Sequence, residues 1–297
     1  MARYAFRILN VFAPTTFEGN PLCVFEDASG LTEQTMLLLT RQFNLSETAF
    51  VFPATSEQHR AGVTAGVRVF TPGHEMAFAG HPALGTAQVV RAVHGTGTQM
   101  TLRFKAGDVA LSAPDPHEPD LWTLAPPLAH APRSWAPAVA PAAIAQMLGL
   151  NEQDLADAPA WMDTGSDHLL VPVRTADALS RASFDPTRLL QWPVSSLGRR
   201  TAYVFCVNED SGSHMEIGAR YFFIRDGAMV EDPGTGSACA NLGAWLAHAR
   251  NRLNLTANVT QGEKMNRLCR LVLGVDASGG IRVGGRVIEL GTGQVDI

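Results

Sequence analysis

The sequence predicts an α+β protein of two lobes, each a set of strands gathered around one main helix. Three observations lead there. Short strand-like runs dominate the 297 residues, and two apolar helices each follow a glycine-led junction, at Gly80 and at Gly236. A proline-rich stretch divides the chain between them. With 46% apolar and 17% charged residues, the chain can bury enough surface to offset its ordering entropy, which excludes disorder. The length suits two domains of roughly 150 residues each.

Met1 to Phe12 alternates apolar and polar residues and lacks the continuous apolar core and cleavage site of a signal peptide, so it reads as a first strand. Leu22–Phe25, Thr48–Phe52 and Gly66–Phe70 are further strands, rich in β-branched and aromatic residues and bounded by Gly, Pro or Asn. Between them Thr32 caps a helix, with Glu33 in its first turn and Met36, Leu39 and Phe43 along one stripe. A second helix starts at His81-Pro82, where a proline's missing N–H costs nothing, and stops at His94-Gly95. Strands follow at Thr98–Phe104, Val109–Ser112 and Leu121–Leu124.

The alanine-rich stretch Ala125–Pro141 contains five prolines and cannot form a continuous helix or central strand, so it reads as a linker. The division is therefore 1–126 and 127–297, with a return of the last strand to the first lobe left open. Beyond the linker come a short helix at Ala142–Leu148 and strands at His168–Val173, Thr201–Val207 and Ile217–Ile224. A helix then runs from Ser237 to Arg250, with Leu242, Trp245, Leu246 and Ala249 on one face. Strands at Leu255–Thr260, Leu268–Val275, Ile281–Val283 and Arg286–Glu289 close the chain. Arg68-Val69-Phe70 before Gly80 and Arg220-Tyr221-Phe222 before Gly236 give the halves a common outline. One sequence leaves coincidence and duplication equally open.

Several function classes fall away. Twenty-three basic and 28 acidic residues leave a net charge of −5, spread along the chain, whereas nucleic-acid binding wants a concentrated basic surface. No run approaches the roughly 18 apolar residues of a membrane span. Four scattered cysteines make neither a disulfide framework nor a zinc motif, and the expectation is a reduced, cytoplasmic protein. His74 and His81 lack metal-ligand spacing, no nucleophile elbow is present, and Gly234-x-Gly236 lacks the third glycine of a dinucleotide fingerprint.

What remains is chemistry at the two glycine-led helix starts and at one carboxylate. A helix start offers unpaired N–H groups and a partial positive charge, so it receives anions readily, and ordinary capping by His81 and Ser237 is the alternative. Glu231-Asp232-Pro233-Gly234-Thr235-Gly236-Ser237-Ala238 is the densest cluster of carboxylates, glycines and hydroxyls in the chain. Taken locally it is also a turn with a cap. Glu47, in Asn44-Leu45-Ser46-Glu47-Thr48, stands where a helix hands over to an apolar strand. Desolvation there would make it an acid/base, while local sequence favours a carboxylate facing water at a strand edge.

Four strings, Phe17-Glu18-Gly19-Asn20-Pro21, Asn44-Leu45-Ser46-Glu47-Thr48, Phe78-Ala79-Gly80-His81-Pro82-Ala83-Leu84-Gly85 and the cluster from Glu231 to Ala238, resemble in order the signatures of the phenazine-biosynthesis PhzF-like isomerase family. The resemblance covers essentially the whole chain. It implies the diaminopimelate-epimerase fold, in which two pseudo-symmetric lobes each wrap a curved, mostly antiparallel sheet or barrel around a central helix, with the active site between the lobes. It also implies a cofactor-independent, metal-free isomerase that moves a proton within a small carboxylate-bearing, cyclic or unsaturated substrate, and a homodimer. By motif, Glu47 would be the general acid/base, with Asp232 and His81 also catalytic. Gly80, Gly236, Ser237 and Thr235 would bind substrate. Gly165-Ser166-Asp167-His168 matches a substrate-contacting loop only loosely. An amino-acid racemase or epimerase and a non-catalytic carboxylate-binding protein are the alternatives.

Two departures from related patterns stand out. The paired catalytic cysteines of diaminopimelate epimerase correspond here to Ala79 and to Pro233–Thr235, so a two-thiol mechanism is unavailable. In Gln261–Cys269, a family motif usually ending Gly-Arg-Pro-Ser has Asn266 for Gly and Leu268-Cys269 for Pro-Ser, which bears on substrate identity.

Overall fold

The computed structural model describes residues 1–127, 130–225 and 227–297. The chain divides into two compact units, Met1–Pro127 with Gly284–Ile297, and Leu128–Val283. Residues 128 and 129 of the expected linker lie outside the described residues.

The first unit runs β1 (Arg3–Val11), β2 (Asn20–Phe25), α1 (Glu33–Phe43), β3 (Thr48–Pro53), α2 (Ser56–Arg60), β4 (Ala65–Phe70), β5 (Glu75–Met76), α3 (Gly80–His94), β6 (Gln99–Phe104), β7 (Gly107–Ser112) and β8 (Leu121–Leu124). The second runs β9 (Arg133–Trp135), α4 (Pro141–Met147), β10 (Ala160–Asp163), β11 (Asp167–Pro172), α5 (Ala176–Arg181), β12 (Thr201–Asp210), β13 (His214–Arg225), β14 (Ala228–Asp232), α6 (Gly236–Ala244), β15 (Leu255–Gln261) and β16 (Cys269–Val275). The last strand, β17 (Ile281–Asp296), starts in the second unit and continues in the first.

Strand pairing shows the repeat. Along β1-β2-β3-β4-β6-β7 the pairs are antiparallel, parallel, antiparallel, parallel, antiparallel. The series β10-β11-β12-β13-β15-β16 has the same order. In the first unit β7 pairs β8, β8 pairs β17 and β17 pairs β1, so eight strands close into a barrel without free edges. The mixed α+β architecture is the one the sequence predicts.

Each unit buries one helix on nearly all sides. In α3 the residues from His81 to Ala87 are buried, with Val89 and Val90, and in α6 so are those from Ala238 to Ala244. For α6 this differs from the one-faced stripe expected of the helix from Ser237, because strands surround it and leave no face for water. Both helices approach their strands through a glycine. A Cβ on Gly85 would stand 2.4 Å from Leu22 Cδ2, and one on Gly243 2.8 Å from Leu273 Cδ1.

Other differences have local causes. α6 gives way after Ala244 to a π-turn, Trp245–Ala249, and the wider turn rotates Ala249 out to solvent, away from the expected stripe. α3 begins one residue earlier than expected, at Gly80. The two short C-terminal strands are one, β17, since its glycines continue the ladder through Gly284 and Gly285. Within the expected linker, Arg133–Trp135 pairs with β10 as an edge strand of three residues between prolines. No helix among the described residues is long and apolar enough to cross a membrane.

Candidate functional site

In the first unit the residues of interest gather where α1 ends and α3 begins. Asn44 closes α1 in the left-handed conformation, φ 53°, which asparagine tolerates better than most residues, and its N–H bonds Thr40 O. Two residues later Ser46 donates to Asn20 Oδ1 at 3.4 Å, and Thr48 pairs with Cys23 in the parallel β2–β3 ladder. Glu47 is held between these anchors. Its side chain is 18% exposed, yet Oε2 is inaccessible to water and lacks a hydrogen-bond partner among the described residues. Burial raises the carboxyl's pKa, opposed by a hydrogen bond with Ser46. The waterward placement that local sequence favours is thereby overturned: the turn from α1 into β3 points the carboxylate at the buried start of α3.

His81, the second residue of α3, places Nε2 3.5 Å from Glu47 Oε2. Ahead of it Ala79 is the N-cap and makes no side-chain cap hydrogen bond. α6 also lacks one at its N-cap, Thr235, whereas α1, α2 and α5 are capped by Thr32, Thr55 and Thr175. Neither central helix is therefore capped by its own N-cap side chain, at Ala79 or at Thr235.

The second unit spends its cluster differently. The Thr235 hydroxyl donates to Asp232 Oδ2 instead of capping α6. Gln261, fully buried at the end of β15, clamps this turn. Its Nε2 donates to Asp232 O at 2.8 Å and to Thr235 Oγ1 at 3.0 Å, and its Oε1 accepts from Thr235 N at 3.3 Å. Gly262 follows at φ 84°, where a Cβ would collide with Arg267 O and Pro233 O. Asn266, which stands for the expected glycine, takes φ 53°, a left-handed conformation that asparagine tolerates.

Ser237, second in α6, meets a residue that sequence reasoning treated as peripheral. His168 Nε2 lies 3.0 Å from Ser237 Oγ and 3.4 Å from Ser166 Oγ, and His168 Nδ1 lies 3.0 Å from the Tyr221 hydroxyl. The loop before His168 is tied to α6 by Asn241. Its Oδ1 accepts from Thr164 N and Thr164 Oγ1, and its Nδ2 donates to Met162 O and Ser166 O. One signal was available, since Asn241 is the only amide in the run Ala238–Ala247 of otherwise small and apolar residues. His168 carried only the loose match of Gly165–His168 to a substrate-contacting loop, because a histidine opening an apolar strand otherwise reads as core.

The structure thus joins Glu47 to His81, Asp232 to Thr235, and Ser237 to His168. Cys239 is buried in α6 with its thiol pushed up to about 12 by desolvation, unsuited to serve as a base. Among the described residues no group of three His, Cys, Asp or Glu side chains could hold a metal ion.

Comparison with known proteins supplies the remaining context. The family model described as phenazine biosynthesis-like protein matches residues 9–290. The chain is 38% identical to an uncharacterized isomerase of Pasteurella multocida over 98% of this chain and 94% of that protein. It is 29% identical to the trans-2,3-dihydro-3-hydroxyanthranilate isomerase of Pseudomonas fluorescens, over 88% and 86% respectively. The solved structure of a Bacillus anthracis phenazine biosynthesis protein of the PhzF family superposes with a TM-score of 0.83 over the whole of both chains, at 24% identity, which speaks to the fold.

Proposed function

This chain belongs to the phenazine biosynthesis-like protein family, and from that premise we propose that it is a cofactor-independent isomerase moving a proton within a small, carboxylate-bearing, unsaturated or cyclic substrate. The observation that carries the proposal is Glu47: a desolvated carboxylate of raised proton affinity, 3.5 Å from His81, beside a helix start without a side-chain cap. A base whose pKa has moved toward neutrality can take a proton from carbon and return it, as a surface glutamate cannot.

In the proposed reaction Glu47 removes a proton next to the unsaturated system and redelivers it to another carbon, so atoms and electrons balance without a redox partner. His81 steadies the shared proton. Asp232, held by Thr235 and Gln261, acts in the same reaction. Thr235 and Ser237, with the first-turn N–H groups at Gly80 and Gly236, receive the carboxylate, and the N–H groups also meet the negative charge that develops.

The test is turnover of trans-2,3-dihydro-3-hydroxyanthranilate, the compound named for the Pseudomonas relative, in deuterated water. The expected product carries a migrated double bond and deuterium at the receiving carbon, and Glu47→Gln removes turnover. Full activity in Glu47→Gln would overturn the assignment. Inversion of a stereocentre with no double-bond shift would favour an epimerase, and tight binding with no exchange a non-catalytic protein.

A further inference from the structure

His168 is 2% exposed and makes two side-chain contacts of 3.0 Å, yet the proposed reaction gives it no part. A neutral imidazole has one N–H and one bare nitrogen, so the two contacts must run in opposite senses. A phenol is the stronger acid and a bare imidazole nitrogen the stronger base. Tyr221 therefore donates to Nδ1, the ring proton sits on Nε2, and Nε2–H donates to Ser237 Oγ. The hydroxyl proton of Ser237 is left for another acceptor.

Two charged groups, Arg199 and Asp167, act on the ring. Arg199 Nη2 donates to Ser166 Oγ at 2.9 Å and reaches Asp167 Oδ1 at 3.4 Å. Burial first, then the Arg199 charge, push the imidazole down to about 3, so it carries no proton to spare at neutral pH.

We propose that His168 is a positioning residue which, fixed by Tyr221, presents the Ser237 hydroxyl as an uncharged hydrogen-bond donor to a carboxylate of the substrate at the first turn of α6. The inference rests on the reading of Ser237 as a substrate-binding residue. An uncharged donor suits this place: it adds to the helix-start N–H groups without the desolvation cost of a buried cation.

Nitrogen NMR of the imidazole in the full-length, ligand-free protein tests the relay directly. His168 is expected as the Nε2–H tautomer, without titrating from about pH 5 to about 8, and Tyr221→Phe should let the proton redistribute to Nδ1. An Nδ1–H tautomer or an imidazolium in the unaltered protein would overturn the proposal. The functional arm uses trans-2,3-dihydro-3-hydroxyanthranilate. His168→Leu and Ser237→Ala should raise KM about tenfold with kcat nearly kept, the scale of one hydrogen bond to a charged group. His168→Gln, whose amide N–H can still reach Ser237, should recover most of the loss. A wild-type KM in His168→Leu would overturn the role. If the unaltered protein does not turn the probe over, the proposed reaction fails on that substrate while the tautomer still decides the relay.

Discussion

The two units share a frame and differ in what they put on it. In the first, Arg68 of β4 holds Glu75 of β5 through both carboxylate oxygens and lies 5.1 Å from the Phe70 ring. In the second, Arg220 of β13 holds Glu231 of β14 in the same way and lies 4.8 Å from Phe222. Each construction leads through a loop into the central helix. The residues given roles in the proposed function stand where the copies part. The residue before β3 is Glu47, but the residue before its topological counterpart β12 is Arg200. The second residue of α3 is His81 and that of α6 is Ser237. A repeated scaffold carries unlike residues at equivalent positions: in the proposed function the first copy supplies the proton carrier and the second neutral and acidic hydrogen-bonding groups.

This contrast can be broken at several points. The largest effect belongs to the proton carrier. Glu47→Gln should lower kcat by about 10²–10⁴-fold, the usual contribution of a general acid/base, whereas Thr235→Ala should act mainly on KM; progress curves in deuterated water separate the two.

Next come the paired arginine clamps, which differ in the arginine: Arg68 keeps a second carboxylate partner in Glu33, whereas Arg220 bonds only backbone carbonyls besides Glu231 among the contacts described. The carboxylates are alike, Glu231 13% and Glu75 12% exposed, but the arginine left behind is 13% exposed for Arg220 and 31% for Arg68. Glu231→Gln should cost about 3 kcal/mol, near the lower end for a broken buried pair, and Glu75→Gln about 1 kcal/mol, read as urea-unfolding free energies. Equal losses would mean that the two clamps are energetically equivalent.

The glycines where the central helices touch their strands should differ more modestly. Gly85→Ala must displace Leu22 and should cost about 1–3 kcal/mol of overpacking, less about 1 kcal/mol gained in helix propensity. Gly243→Ala has 0.4 Å more room and should cost less, as thermal unfolding would show.

The smallest effect is a stability slope with pH. Glu47 has a raised folded-state pKa, so between the ordinary glutamate range and that raised value the folded protein holds more protons than the unfolded chain. Stability therefore falls as pH rises through that window. Glu75, held down by Arg68, has the opposite sign and loses its contribution as pH falls. Glu47→Gln should remove the first slope, above the ordinary glutamate range, and leave the second, below it, measurable by urea titration between about pH 2 and about pH 8.

Much of the frame was legible in the residues. Thr32 capping α1 and Gly95 closing α3 in the left-handed conformation are local devices that act through a few neighbouring atoms. β10 and β14 were not legible. Trp161 and Met162 stand in a run too short for a period to show, and Met229 to Asp232 reads as the approach to a turn. Those strands exist because β11 and β13 offer ladders to pair with.

Sequence alone determined the strand-rich composition, the two glycine-led helices and the identity of the acid/base candidate, because caps, breakers and motif strings are properties of adjacent residues. Tertiary structure alone decided that Glu47 is desolvated, that α6 is buried on every side, and that His168 and Tyr221 stand behind Ser237. Each of these depends on groups dozens of residues apart whose proximity is set by strand pairing, and a carboxylate's proton affinity or a hydroxyl's orientation follows from the atoms packed against it.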